Sequence, residues 1–443
     1  MPSNTVDFLS QPYSSGIILN RFKNNHFDMI GDSRTADSIV SAPTIVGLQG
    51  THWFNWANAL SNNRMVLNNV FGTSGARSDE YINTYWSRVL TSDSKFLIWG
   101  FPIVNDLAQS VTGYITADGV TVNNTNVAQT AAKRIQTRIL EATTSGKTVI
   151  ITMEPGANNL DAATVKQLHE FNTRMSVFGR TTPGCIVWSA NAVLWNPTAS
   201  ATVIGFRTGM LRSAGSDTTH YSVLGGYTAG TEFATKVVPN LNLPYSDMGI
   251  SSINDTYGQN PRQLIRNALF NTTTGGTRTT VGGTGNIPAN WTLTGAASST
   301  VNVSSSSNAN GFGNDIILDC TTTGNDTITF ESVAPANADW DVTDIFDFEI
   351  EASVAVSSSN ACVYSNLQTA TPTGTDNWWT LYGLGFNPFP TAAYTVNLKS
   401  QAATTKAGTS KSFLSARLNI RTEGAGTAVV TVRRASCLKR LLT

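Results

Sequence analysis

Phe27-Asp28-Met29-Ile30-Gly31-Asp32-Ser33-Arg34-Thr35 is an apolar-rich run that ends in a serine set between a turn and the start of a helix. A strand that stops at Gly31 and a helix that begins just after Ser33 leave the hydroxyl at the carboxyl edge of a sheet, with backbone N–H groups beneath it. Most Asp-Ser dipeptides are simply turns and helix caps. Reading Ser33 as a nucleophile therefore depends on partners elsewhere in the chain.

From Phe27 to about Val238, short apolar runs alternate with helix-like segments, the pattern of a parallel sheet covered on both faces. The expected strands are Phe27 to Ile30, Met65 to Val70, Lys95 to Trp99, Thr148 to Met153 and Ile186 to Ser189. Between them Ala128, Ala131, Ala132, Ile135 and Ile139 recur at helical spacing and stop at Gly146, a C′ glycine. A second helix is capped by Asp161, lined by Val165, Leu168, Phe171, Met175 and Phe178, and expected to end at Gly179. A last helix is expected from Val223 or Tyr227 to Val238.

After Asp255 helical periodicity gives way to strict alternation. Phe346, Phe348, Ile350, Ala352, Val354 and Val356 share one face against Asp347, Glu349, Glu351 and Ser353, as in a half-buried antiparallel strand. Ala416, Leu418 and Ile420 repeat the pattern, as do Ile328 with Phe330, and Ala428, Val430 and Val432. Gly- and Thr-rich turns punctuate these strands, which reads as a β-sandwich of jelly-roll type. The chain thus divides into a lead-in over residues 1–24, an α/β domain over 25–256, a linker over 257–266 and a sandwich over 267–443.

Bulk composition removes several function classes. With 29 basic and 29 acidic residues the chain has no electrostatic footprint for nucleic acid or an anionic membrane. Charged residues make up only 13%, about half of the ~25% usual in soluble domains, so hydroxyls and amides must solvate the surface. That suits an extracellular or virion protein. Met1 to Asn20 lacks a basic segment followed by an apolar core, so no secretory signal is expected there. The longest apolar run, Phe96 to Val104, is too short to span a bilayer. Cys185, Cys320, Cys362 and Cys437 lack metal-type spacing and read as free, buried thiols, with a Cys320–Cys362 bridge as the alternative.

A serine hydroxyl needs a base, an orienter for that base and donors for the oxyanion. Of the four histidines, His169 falls mid-helix, His52 lies in the aromatic Thr51 to Trp56 stretch, and His26 precedes the first strand at the sheet's wrong end. His220 is left, in Ser216-Asp217-Thr218-Thr219-His220. An aspartate three residues earlier can take the Nδ1 proton and leave Nε2 facing the serine.

Together these residues resemble the SGNH or GDSL hydrolases. Gly31-Asp32-Ser33 is similar to that family's first block, Ser74-Gly75-Ala76-Arg77-Ser78 to the second, Asn105-Asp106 to the third and Asp217 to His220 to the fourth. The resemblance spans residues 27 to 238 and implies a flavodoxin-like three-layer fold with sheet order 2-1-3-4-5. It also implies an oxyanion hole formed by the Ser33 and Gly75 N–H groups and the Asn105 amide, with no cofactor and no metal. Arg34 stands where the family usually has an aliphatic residue, and Ile103 where it usually has glycine. Arg34 either forms a structural ion pair or reaches an acidic or hydroxylated substrate. Asp32 and Asp106 are expected to brace turns.

The start of the second domain, Asn267 to Phe270 through Trp291, is similar to carbohydrate-binding sandwiches and to modules appended to phage tail proteins. Trp378 and Trp379, with Tyr382, Phe386 and Phe389 nearby, are candidate sugar-stacking residues; successive strand positions face opposite ways, so one tryptophan is expected in the core. The expectation is a serine esterase removing O-acetyl groups from a polysaccharide, associated with a phage tail. The rival readings are a lipid, small-ester or thioester hydrolase, and a virion fibre protein that only recognises glycan. A homo-oligomer, trimeric if it is a tail protein, is the corresponding assembly, although no heptad segment enforces one.

Overall fold

The computed structural model describes residues 22–42, 45–213, 216–244, 254–309, 311, 313–336, 339–341, 344–355, 360–371, 374–383, 387–400, 403–404 and 413–440. Val356, Phe386 and residues 1–21 of the lead-in lie outside them.

The first strand, β1 (Lys23–Gly31), enters the core at Phe27, and Phe27, Met29 and Ile30 are fully buried. It leads into α1 (Ser33–Ala36), a hairpin of β2 (Ile39–Ala42) and β3 (Ile45–Gln49), and α2 (Trp53–Leu60). There follow β4 (Val66–Gly72), α3 (Ser78–Thr91), β5 (Ser94–Gly100), α4 (Val104–Ser110) and a short hairpin of β6 (Tyr114–Ile115) and β7 (Thr121–Val122). Next come α5 (Val127–Thr144), β8 (Thr148–Thr152), α6 (Ala162–Thr181), β9 (Cys185–Trp188), α7 (Asn191–Leu194) and α8 (Val223–Lys236).

A parallel five-stranded sheet forms in the order β4-β1-β5-β8-β9, the order that the resemblance implies. Its inner strands β5 and β8 are apolar on both faces because helices cover both. α5 buries Ala128, Ala131, Ala132, Ile135 and Ile139, and Gly146 follows it at φ +94°, a backbone conformation that closes a helix without a Cβ penalty. Asp161 caps α6 by accepting from the Thr164 N–H at 2.7 Å. Gly179 does not end α6, which continues to Thr181. A Cβ there would lie 2.5 Å from Val187 and 2.9 Å from Ile151, so this glycine serves close packing of helix on sheet.

The second half is all strand: β10 (Thr277–Thr279), β11 (Trp291–Thr294), β12 (Thr300–Ser307), β13 (Asn314–Thr323), β14 (Asp326–Ser332), β15 (Ile345–Val354), β16 (Asn360–Thr371), β17 (Gly374–Tyr382), β18 (Tyr394–Lys399), β19 (Ala403–Thr404), β20 (Phe413–Glu423) and β21 (Ala425–Lys439). One sheet runs β12-β13-β21-β15-β18, with β19 beside β15. Phe346, Phe348, Ile350 and Ala352 are fully buried, as alternation requires, but Glu349 on the opposite face is buried too, held by the Asn397 amide. The cysteines are free; Cys320 and Cys362 lie unbridged in different sheets, and Cys185 is half-buried rather than buried.

The other sheet runs β10-β11-β14-β20-β16-β17-β3-β2 and so takes its last two strands from the first half of the chain. β3 pairs parallel to β17, with Gly47 against Trp379, where an added Cβ would fall 2.6 Å from the Trp379 carbonyl oxygen. Trp56 of α2 and Val223 of α8 are buried with the sandwich's apolar residues, and the Trp56 ring meets Tyr394 edge-on at 5.5 Å. Residues expected as linker also pack here: Gln263 is buried, Leu264 and Ile265 join the sandwich core, and the Leu264 N–H donates to the Cys437 carbonyl at 2.9 Å.

Candidate active site

Ser33 is the first residue of α1, and α1 rests directly on the ends of three strands. Gly31, Gly72 and Gly100 close β1, β4 and β5 in register. A Cβ on Gly31 would lie 2.4 Å from Thr35 Oγ1, on Gly72 2.4 Å from the Ala36 N, and on Gly100 2.6 Å from Thr35 Oγ1. Any side chain at these positions would push α1, and Ser33 with it, off the sheet edge. Asp32 caps the helix, its Oδ1 accepting from the Arg34 N–H at 2.9 Å.

The structure brings Ser33, His220 and Asp217 into one hydrogen-bonded line across 187 residues of sequence. Ser33 Oγ lies 2.9 Å from His220 Nε2, and His220 Nδ1 lies 2.9 Å from Asp217 Oδ2. Asp217 Oδ1 also accepts the Thr219 and His220 backbone N–H groups, both at 2.9 Å. Burial works against ionisation of Asp217, but these two N–H groups and the His220 ring outweigh it and hold the carboxyl below its usual value. A carboxylate on Nδ1 fixes the tautomer that leaves Nε2 able to accept the Ser33 proton. The His220 and Asp217 side chains are about a quarter exposed, so the line opens to solvent.

Gly75 and Asn105 sit on the same carboxyl edge. Gly75 lies at φ +75° in the exposed loop after β4, with open space where a side chain would stand. Asn105 is in the first turn of α4, after β5, and its amide donates to the Ala76 carbonyl at 3.0 Å, tying the two loops together. Asp106 points inward. It accepts from the Ser78 N–H at 2.8 Å, Ser78 Oγ at 2.7 Å and the Tyr114 hydroxyl at 3.0 Å, bracing the start of α3. Burial pushes its carboxyl up to about 6 against the Ser78 hydrogen bonds.

Arg34 is turned into the protein. It is 3% exposed, and its Nη1 and Nη2 donate to Glu154 Oε1 and Oε2, both at 2.8 Å. Nη2 also donates to the Phe101 carbonyl at 2.7 Å and Asp32 Oδ2 at 3.1 Å. Burial opposes its charge, yet Asp32 and Glu154 hold it well above the usual arginine value. Asp32 is raised, chiefly by burial and against the pull of Arg34. Of the two roles the sequence leaves open for Arg34, its geometry fits the ion pair rather than the substrate contact, because its donors are committed inside the protein. Glu154 completes this cluster, its Oε2 accepting the Ile103 N–H at 3.0 Å and its Oε1 the Gly156 N–H at 2.7 Å. Sequence reading missed Glu154; the available signal was a carboxylate directly after the fourth strand.

The other histidines take structural places. His52 caps α2, its Nδ1 accepting the Phe54 N–H at 3.2 Å, and burial pushes its ring down to about 3. The unfolded chain binds a proton at His52 below about pH 6.5 and the folded one does not until about pH 3, so folding stability falls as pH drops through that window. His52→Asn keeps a capping oxygen and is expected to flatten the acid side of a plot of unfolding free energy against pH by up to ~1.4 kcal/mol per pH unit. A slope equal to wild type would refute this. His169 is half-buried, its Nε2 3.0 Å from the Ser200 carbonyl. His26 lies at the opposite end of β1.

Trp378 does not form a surface platform: it is 8% exposed and belongs to the sandwich core. Phe389 is buried as well. Trp379 faces the other way, half-buried, with ring centroids 5.3 Å from Tyr364 and 4.9 Å from Tyr382. Among the described residues, no group of three or more His, Cys, Asp or Glu is placed to hold a metal ion, and no helix is long and apolar enough to cross a membrane.

No family model and no curated protein matches the chain. Solved structures do. An acetyl xylan esterase is 13% identical over 48% of this chain and 100% of its own, with a TM-score of 0.35. A GDSL-like lipase from Bacteroides thetaiotaomicron is 12% identical over 48% of this chain and 87% of its own, with a TM-score of 0.32. The family 11 carbohydrate-binding module of a Clostridium thermocellum cellulosomal cellulase is 12% identical over 35% of this chain and 90% of its own, with a TM-score of 0.22. The chain is thus similar to GDSL-type hydrolases over its first half and to carbohydrate-binding sandwich modules over its second.

Proposed function

We propose that the protein is a serine esterase that removes O-acetyl groups from a polysaccharide. The observation that carries this reading is the line Ser33 Oγ–His220 Nε2–Asp217, with both links at 2.9 Å, set at the carboxyl edge of a parallel sheet. Ser33 Oγ attacks the ester carbonyl and its proton passes to His220 Nε2. The tetrahedral oxyanion is met by the Ser33 and Gly75 N–H groups and the Asn105 amide. His220 returns the proton to the leaving sugar hydroxyl, and water, activated by the same ring, releases acetate from Ser33.

Glycan as substrate class draws support from the face of the larger sandwich sheet that carries Trp379. There the half-buried Trp379 and Tyr382 rest on the buried Tyr364, with the half-buried Gln368 beside them; the Gln368 amide and that of the buried Asn366 both donate to Asn377 Oδ1, at 3.0 and 3.1 Å. Aromatic faces suit the C–H face of a pyranose, and amides suit its hydroxyls. The test is incubation with O-acetylated polysaccharides, following acetate by NMR. Acetate released by wild type and not by Ser33→Ala is the expected result; equal release by both, or none from any ester, would end this reading.

Asn105→Ala is expected to lower kcat by about 10²- to 10³-fold, because the lost amide matters only once charge develops on the oxygen. KM should stay within a few-fold, and steady-state kinetics on a soluble acetyl ester distinguish the two. A variant that raises KM and spares kcat would move Asn105 from the oxyanion hole to substrate binding.

A further inference from the structure

We propose that Arg212 is a positioning residue that fixes the distance between the Ser33 helix and the His220 loop; this rests on reading Ser33 and His220 as the reacting pair. The two residues come from different parts of the fold, α1 at the start of the α/β body and an irregular loop ahead of α8. A hydrogen bond between side chains so placed is only as constant as the backbone on either side of it.

Arg212 joins those two backbones. Asp37, the C-cap of α1, donates its N–H to the carbonyl of Ser33 at 2.8 Å. Its carboxylate accepts from Arg212 Nη2 at 2.5 Å. The Arg212 N–H donates in turn to the carbonyl of His220 at 3.0 Å, and Nε donates to the Tyr221 carbonyl at 2.9 Å. With the 2.9 Å link from His220 Nε2 to Ser33 Oγ, these contacts close a ring of which the reactive hydrogen bond is one side.

The ring is anchored on a third element. Arg212 Nη2 also donates to Thr51 Oγ1 at 3.1 Å, and Thr51 Oγ1 donates to Gln49 Oε1 at 3.0 Å. Gln49 ends β3, the strand built into the sandwich sheet, and the neighbouring Gly50 N–H donates to the Tyr382 carbonyl at 2.6 Å. The second half of the chain also meets the first turn of α8, which follows the His220 loop: the Leu224 N–H donates to the Pro388 carbonyl at 2.9 Å. The Arg212 and Asp37 side chains are 14% and 30% exposed, enough shielding for a planar guanidinium to hold one geometry on the carboxylate. Arginine suits the position because separate N–H groups serve the carboxylate and the Tyr221 carbonyl, which a lysine ammonium on a flexible stem would not do in fixed directions.

A displacement of about 1 Å between nucleophile and base can cost on the order of 10²-fold in rate. Arg212→Ala is therefore expected to lower kcat on a soluble acetyl ester by about 10- to 100-fold with KM within about twofold. Asp37→Asn should cost less than Arg212→Ala, and the double variant no more than Arg212→Ala alone, since both belong to one linkage. Reversing the pair, Asp37→Arg with Arg212→Asp, should recover part of the loss. The second measurement is the NMR signal of the His220 ring, which is expected as a single sharp set in wild type and as a broadened or doubled set in Arg212→Ala.

Wild-type kcat retained by Arg212→Ala would overturn the proposal, as would independent, additive losses in the double variant. If wild type turns over no ester, the esterase reading fails on that result. The ring signal then still decides the clamp: unchanged in Arg212→Ala, it overturns it. Kinetics are run well below the thermal midpoint of each variant, so a loss through unfolding registers in the midpoint rather than in kcat.

Discussion

Ser33→Ala is expected to reduce kcat on acetyl esters by about 10⁴- to 10⁶-fold while leaving the fold intact. The size follows from what the substitution removes: covalent catalysis goes, and the His220–Asp217 pair is left with no proton to accept. What stays is the set of donors at Gly75 and Asn105 and the binding surface, which retain a small acceleration over water. Stability should change little. Ser33 Oγ contacts His220, whose side chain is 27% exposed, so water can replace the lost hydroxyl. His220→Ala added to Ser33→Ala should cost nothing more, because the two residues act as one unit. Kinetics and thermal melting of the single and double variants check both statements; a further large loss in the double variant would separate the two residues' roles.

Arg34→Leu is expected to destabilise the protein by about 3–5 kcal/mol, the cost of removing one partner from a buried ion pair. Arg34, Asp32 and Glu154 are 3%, 0% and 0% exposed. Without the guanidinium, two carboxylates share a dry site and one of them has to take up a proton. That proton is bound in the folded variant and released on unfolding above the ordinary carboxylate range. Stability of the variant therefore falls as pH rises from about 4, and its deficit against wild type is smallest in acid and grows toward neutrality. Glu154→Gln in the same chain should recover part of the loss by removing one charge. Thermal midpoints of the three proteins between pH 4 and 8 provide the measurement, and a deficit that shrinks as pH rises would contradict the mechanism. Activity should fall as well, since Glu154 and the Phe101 carbonyl set the backbone that leads to Asn105.

Much of the α/β half was legible because its signals are local. The strand ending in Gly-Asp-Ser, the helical stripes over 128–139 and 165–175, and the pairing of Asp217 with His220 three residues on each depend on residues within a turn or two of one another. Strict alternation in the second half likewise records which face of each strand is dry.

Contacts that close over long separations left no such record. Arg34 finds Glu154 120 residues away, and Arg212 finds Asp37 at a separation of 175. Residues 45–49 look like part of an ordinary connection after the first helix, yet they pair with β17, more than 300 residues later in the chain. Alternation showed that Trp378 and Trp379 must part; only the packing of two sheets assigned Trp378 to the dry core and Trp379 to the half-buried cluster with Tyr364 and Tyr382. Residue order thus marked Ser33, Asp217 and His220 as candidates and specified the local shapes that present them. Which buried charges meet, and which strand completes which sheet, came from the folded chain, because a buried donor takes whatever acceptor the assembled core places beside it.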